Sequence, residues 1–274
     1  MDLTDVKFWE DFWAAAKLPS TIDWEFPYDR CLADALKTHL SASRGEVLEI
    51  GCAPGKWLHF LAKELGLKPS GINYSEAGMR ATEKNFQILQ LTDIGFLRAG
   101  DFFQITPDRL FDVVMSLGFI EHLTDVDTVV EAHLRWVKPG GVLVLGVPNL
   151  RGIYAVAQRV LDQEILDKHN VSIMNLDFFL HLKRRFHLDP VFMGYIGSFE
   201  PELPIPKPRI DNPSIRRVSC STLRRRRHGP HCSGTMSAPG GEAVRYSMPV
   251  RCSATDMRGF RTDQSVHKTN SYWP

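Results

Sequence analysis

Val47-Leu48-Glu49-Ile50-Gly51-Cys52-Ala53-Pro54-Gly55-Lys56-Trp57-Leu58 is the stretch that decides the fold. An apolar run carries an acidic residue near its end, small residues follow, and an amphipathic pattern begins. That order predicts a short buried strand, a tight turn and the start of a helix. Backbone N–H groups and a helix N-terminus then meet the charged part of a ligand at the turn. Glycines at 51 and 55 allow a close approach that a Cβ would block. A dinucleotide fingerprint needs G-x-G-x-x-G, and no third glycine stands at that spacing. A P-loop needs G-K-[ST], whereas Trp57 follows Gly55-Lys56.

The pattern extends in both directions. Phe8, Trp9, Phe12 and Trp13 recur at helical spacing within residues 6–18, and residues 29–43 read as a second helix leading into the first strand. Strands are predicted at Val47–Ile50, Ser70–Tyr74, Phe96–Ala99, Phe111–Leu117 and Val142–Val147. Helices are predicted between them at Gly55–Leu65, Glu76–Leu89 and Asp125–Val137, with a turn at Pro139-Gly140-Gly141. Residues 151–188 read as helical, with Leu176–Leu182 as an apolar stretch, and Val191–Ile196 as a sixth strand. Such alternation predicts an α/β fold, a doubly wound and mostly parallel sheet with helices on both faces. Ligands of such sheets bind beyond the carboxyl ends of the strands.

Glu49-Ile50-Gly51-Cys52-Ala53-Pro54-Gly55 resembles motif I, E/D-x-G-x-G-x-G, of the class I S-adenosylmethionine-dependent methyltransferases, with Ala53 for the middle glycine. Further segments repeat the resemblance in order. Gly71-Ile72-Asn73-Tyr74-Ser75 resembles G-x-D-x-S, and Gly100-Asp101-Phe102-Phe103 resembles the adenine-reading segment. The run from Phe111 to Leu123 ends in Glu121-His122-Leu123, similar to small-molecule methyltransferases including the ubiquinone-biosynthesis type. Val137-Lys138-Pro139-Gly140-Gly141 resembles L-K-P-G-G, and Val147-Pro148-Asn149 the P-N that follows strand five.

The resemblance implies a Rossmann-like sheet, S-adenosyl-L-methionine as cofactor, and a small-molecule acceptor. It implies that Glu49, Gly51, Cys52, Ala53 and Gly55 form the cofactor turn. Asn73, with Tyr74, is placed at the ribose and Asp101, with Phe102, at the adenine. Leu117 and Phe119, on the way to His122, are placed along the transfer site. Asn73 stands where the family has an acid. An amide still donates and accepts, but loses charge-assisted bonds, about 1 kcal/mol of affinity. Asp101 could equally cap the next helix.

The reaction implied is an in-line displacement at a sulfonium methyl, in which the protein mainly aligns nucleophile, methyl and sulfur. His122 is the candidate general base, or else a residue that only positions the turn. His169 resembles a histidine that follows strand five and faces the substrate, or is a surface histidine. Lys56 could meet the cofactor's carboxylate or be a solvated helix residue. Trp9, Trp13 and Tyr28 could close over the site as a lid or simply pack on the core. The ubiquinone-type pattern E-x-x-E-H can support a metal; Gly118 replaces its first Glu, so no metal is expected.

Composition bounds these readings. The 274 residues carry 33 Lys and Arg against 32 Asp and Glu, a net charge of +1, which points to no acidic partner. Nucleic acid is an unfavoured partner, although Arg224-Arg225-Arg226-Arg227 could bind phosphates. No apolar run approaches the roughly 20 residues of a membrane span, and the acidic N-terminus lacks a signal core. The five cysteines form no C-x-x-C, which suits a cytoplasmic protein with free thiols. The division expected is a helical cap at 1–45, a cofactor domain at 46–205 and an irregular basic tail at 206–274. Periodicity fades after about residue 205, no alternating strand follows soon after Phe199-Glu200-Pro201, and Ala243–Val250, broken by Pro249, is a poor substitute. The seventh strand of the family is therefore expected to be missing and the tail foreign to the fold, as a frameshift would produce. A catalytically inactive cofactor-binding protein and a nucleic-acid methyltransferase remain the alternatives, and nothing in the sequence sets an oligomeric state.

Overall fold

A computed structural model describes residues 3–152, 155–156, 159, 163–197 and 250–252. The strands are β1 (Glu46–Ile50), β2 (Lys68–Asn73), β3 (Leu97–Ala99), β4 (Phe111–Leu117), β5 (Val137–Gly146), β6 (Leu188–Pro190) and β7 (Val250–Cys252). They form one sheet in the order β3-β2-β1-β4-β5-β7-β6. Pairing is parallel from β3 through β5, and β7 runs antiparallel between β5 and β6. The helices are α1 (Val6–Ala14), α2 (Pro27–Leu40), α3 (Lys56–Leu65), α4 (Glu76–Ile88), α5 (Val126–Leu134), α6 (Gln163–Asp167) and α7 (Leu176–Arg185).

Alternation along the strands sorts side chains into two cores. Val47, Val113, Met115, Val142 and Val144 pack on one face with Leu32 and Leu36 of α2 and Leu58 and Leu61 of α3. Leu48, Ile50, Val114, Leu143 and Leu145 pack on the other with Val129 and Val130 of α5 and Phe179 and Leu182 of α7. Local chemistry sets the helix ends. Asp5, Ser75, Asp125 and Asn175 each accept a backbone N–H of their own first turn, at 2.7, 3.0, 3.2 and 3.0 Å. Gly66 closes α3 with φ +66°, the left-handed C-terminal geometry glycine adopts readily.

Three expectations are corrected. The sixth strand is Leu188–Pro190, not Val191–Ile196. The seventh strand is present: Val250–Cys252, from within the segment expected to be irregular, pairs with both β5 and β6. A strand of three residues is too short to carry an alternating apolar run, so the sequence pattern could not show it. Strand β5 begins at Val137, with the Pro139-Gly140-Gly141 turn drawn into it and a register shift between Phe111 and Val113. The rest of 206–274, including Arg224–Arg227, lies outside the described residues. Among those, no helix is long and apolar enough to cross a membrane.

His133 on α5 is fully buried against Phe102 and Phe119, at ring separations of 4.9 and 5.8 Å. Its Nδ1 meets the Val129 carbonyl at 2.7 Å and its Nε2 has no partner among the described residues. Burial pushes this imidazole down to about 4. The unfolded chain therefore binds a proton more readily than the folded one between pH 6.5 and about 4. Stability falls with pH across that window, by about 2 kcal/mol between pH 7 and pH 5. His122, also pushed down to about 4, adds a term of the same sign. Urea unfolding at both pH values should show the acid loss shrinking by about 2 kcal/mol in His133→Leu; an unchanged loss would dismiss the assignment.

Candidate active site

The carboxyl ends of β1, β2, β3 and β4 open onto one cavity of about 290 Å³. At its centre is the turn after β1. Gly51 has φ +76°, and its N–H donates to the Ile72 carbonyl at 2.9 Å, tying the turn to β2. A Cβ on Gly51 would come within 3.1 Å of Phe119 Cδ2. Gly51 and Ala53 line the cavity, as do Asn73, Tyr74, Asp101, Phe102, Leu117, Phe119 and His122.

Glu49, Cys52 and Gly55 do not line it and act from behind. Glu49 lies on the opposite strand face from Ile50, and it is buried with Oε2 unpartnered among the described residues. Burial raises its carboxyl well above the usual range, and the Lys56 charge opposes this only in part. Cys52 packs where a Cβ on Gly71 would lie 2.6 Å from its sulfur, and burial pushes its thiol far up. Gly55 is needed for packing: a Cβ there would lie 2.6 Å from Phe86 and 2.9 Å from Thr82 of α4. Asn85, a residue the sequence reading missed, braces the same turn. Its amide donates to the Pro54 carbonyl at 3.0 Å and to the Ser20 carbonyl at 2.9 Å. Lys56 does not face the cavity but pairs with buried Asp29 at 2.7 and 2.9 Å.

Asn73 Nδ2 donates to the Ser75 carbonyl at 3.1 Å, turning the donor end of the amide toward the chain. Asp101 caps the turn that follows it, Oδ1 accepting from Phe103 N at 2.9 Å, and it also lines the cavity.

The far wall is aromatic. Trp9, Phe12 and Trp13 of α1 line the cavity, whereas Tyr28 packs edge-on against Trp57 outside it. Thr4 Oγ1 accepts from Trp9 Nε1 at 3.0 Å, and Leu3 N donates to the His122 carbonyl at 2.8 Å. The chain before α1 is thereby pinned to the rim at His122.

His122 is nearly buried, with Trp9 edge-on at 5.0 Å and the His169 ring at 4.6 Å. Burial, and then the His169 charge, push it down to about 4, against the opposing pull of the Lys168 carbonyl at 2.8 Å from Nδ1. Nδ1–H donates to that carbonyl, so Nε2 carries the lone pair. Glu121, also buried, is pushed up to about 8. His169 does not line the cavity but stands beside His122. Expecting no metal rested on Gly118 alone; the structure nevertheless brings the donor atoms of Glu121, His122 and His169 within 4.8 Å of one another.

Residues 27–188 match the family model described as a methyltransferase domain. This chain belongs to that methyltransferase family. Among its curated relatives, 27-O-demethylrifamycin SV methyltransferase of Amycolatopsis mediterranei is 29% identical over 165 residues, 58% of this chain and 60% of that protein. The 2-methyl-6-phytyl-1,4-hydroquinone methyltransferase of Synechocystis is 37% identical over 113 residues, 38% of this chain and 32% of that protein. The chain thus matches less than two thirds of the length of these methyltransferases. A solved S-adenosylmethionine-dependent methyltransferase from Thiobacillus denitrificans, in complex with S-adenosyl-L-homocysteine, superposes with a TM-score of 0.52 at 21% identity, covering 70% of this chain and 74% of that one. A solved structure concerned with conversion of a disulfide bond into a thioacetal group during echinomycin biosynthesis superposes with a TM-score of 0.56 at 16% identity, covering 92% of this chain and 94% of that one. Both likenesses bear on the fold, which is that of a class I methyltransferase.

Proposed function

We propose that the protein binds S-adenosylmethionine on the strand-end wall of the cavity and transfers its methyl group to an O or N nucleophile of a small molecule. One observation carries the reading: a single cavity joins the motif-bearing wall of Gly51, Asn73 and Asp101 to an aromatic wall that also holds His122. The sulfonium supplies the activated methyl, so the chain's task is alignment and exclusion of water. Asn73 and Asp101 orient the nucleoside. Trp9, Phe12 and Trp13 give the acceptor an apolar, flat-sided bed, suited to an aromatic or polycyclic molecule. The relatives' named acceptors, a demethylrifamycin and a hydroquinone, are molecules of that kind. His122 presents an unprotonated Nε2 to the acceptor's hydroxyl or ammonium. The free thiol of Cys52 suits a reducing, cytoplasmic setting.

Calorimetric titration of the purified full chain with S-adenosylmethionine should give saturable micromolar binding. Methyl transfer to a panel of phenols, catechols and amines should then find an acceptor. His122→Gln should lower kcat about a hundredfold with the cofactor Kd unchanged. Cofactor binding without transfer to any class would favour an inactive binding protein. No cofactor binding by a folded sample would sink the reading.

A further inference from the structure

We propose that Glu121, His122 and His169 form a site for one late first-row divalent cation, with zinc the best match to its donors. Their ligand atoms already lie within 4.8 Å of one another, and Glu121 Oε1 is 4.0 Å from His122 Nε2. Backbone bonds assemble the cluster. Lys168 O meets His122 Nδ1 at 2.8 Å, Asn170 N donates to Glu121 O at 2.6 Å, and Asn170 Nδ2 donates to Leu123 O at 3.2 Å. These three contacts clamp residues 168–170 onto 121–123 and fix His169 beside the pair.

Two further features point to a ligand there. Glu121 is 1% exposed and its Oε2 has no partner among the described residues. Leaving a buried acceptor unmade is costly and calls for an occupant. The Lys168 carbonyl fixes the tautomer of His122, the arrangement by which a second group orients a metal-binding imidazole and leaves Nε2 to coordinate. Two imidazoles and one carboxylate suit zinc or cobalt and disfavour magnesium, which prefers oxygen ligands. Three protein ligands leave a position for an outside ligand, and His122 lines the cavity. What the ion does there rests on the transferase reading: with His122 Nε2 bound to it, the ion rather than the imidazole would act on the acceptor, holding its heteroatom and making a hydroxyl more acidic. Its binding does not rest on that reading.

The test uses the full chain, stripped with a chelator and titrated with Co²⁺ and Zn²⁺ by calorimetry and, for Co²⁺, by visible absorption. Expected is one ion per chain, d–d bands of a low-coordinate nitrogen–oxygen site, and no comparable binding of Mg²⁺. His169→Ala and Glu121→Gln should each weaken binding at least about a hundredfold while thermal melting shows them folded. His228→Ala with His231→Ala, in the basic segment, should leave it unchanged. The proposal fails if no ion binds stoichiometrically, or if the ion persists in folded His169→Ala and Glu121→Gln. S-adenosylmethionine binding by the stripped protein, measured in parallel, reports on the transferase reading separately.

Discussion

Gly51→Val is expected to weaken S-adenosylmethionine binding about a thousandfold while the protein still folds. Gly51 sits at φ +76°, which a β-branched residue adopts only under strain. Its missing Cβ faces Phe119 at 3.1 Å, on the cavity side. The valine turn would relax out of the left-handed conformation and displace the backbone that lines the cavity. Restoring it on binding would cost about 2 kcal/mol of strain, and the isopropyl group, wedged against Phe119, would cost roughly as much again in lost packing. Gly51→Ala, with the same strain and less bulk, should lose about thirtyfold. Calorimetry on both variants, with chemical unfolding as the folding control, decides the matter. Unchanged affinity in Gly51→Val would mean that the ligand does not approach the turn.

What could be read in the sequence was whatever is local. The β1 turn, the capped starts of α4 and α5, and the two-faced alternation of Val47 with Leu48 are written in neighbouring residues. Motif reading then blurred two roles. Glu49, Cys52 and Gly55 belong to the motif, yet period-2 alternation and the packing of α4 put them behind the wall that Gly51 and Ala53 face. The sequence could not show what depends on distant backbone. Strand β7 pairs three residues with no apolar pattern. His169 reaches His122 because the carbonyl of Lys168 and the amide of Asn170 happen to complement the 121–123 turn. A donor count along Gly118-Phe119-Ile120-Glu121-His122 could not include it. The expected division at residue 45 likewise has a structural counterweight, since α1 and the chain before it form one wall of the cavity.

A second such tie is the ion pair of Asp29 with Lys56, and Asp29→Ala is expected to destabilise the protein by about 3–4 kcal/mol. Asp29 is 2% exposed on α2; both its oxygens meet Lys56 Nζ, at 2.7 and 2.9 Å, and Oδ2 also accepts from Asp23 N at 2.9 Å. Lys56 is the first residue of α3, directly after the Gly55 cap, with its ammonium 5.1 Å from the Trp57 ring centre. Removing the carboxylate strands a partly buried cation at a helix N-terminus, where the helix dipole also disfavours it. The loss should lower Tm by about 10 °C for a domain of this size. Lys56→Met strands the opposite charge and should cost a similar amount. Combining Asp29→Leu with Lys56→Met should recover most of the loss, because a buried pair and an apolar pair of similar volume differ little. The pair joins α2 to the first residue of α3, directly after the β1 turn, so the double variant should remain stable yet bind S-adenosylmethionine about tenfold more weakly, a 1.4 kcal/mol effect. Full recovery of both stability and affinity would show that the pair only fills space. Recovery of stability alone would show that α2, ahead of the first strand, helps shape the binding site.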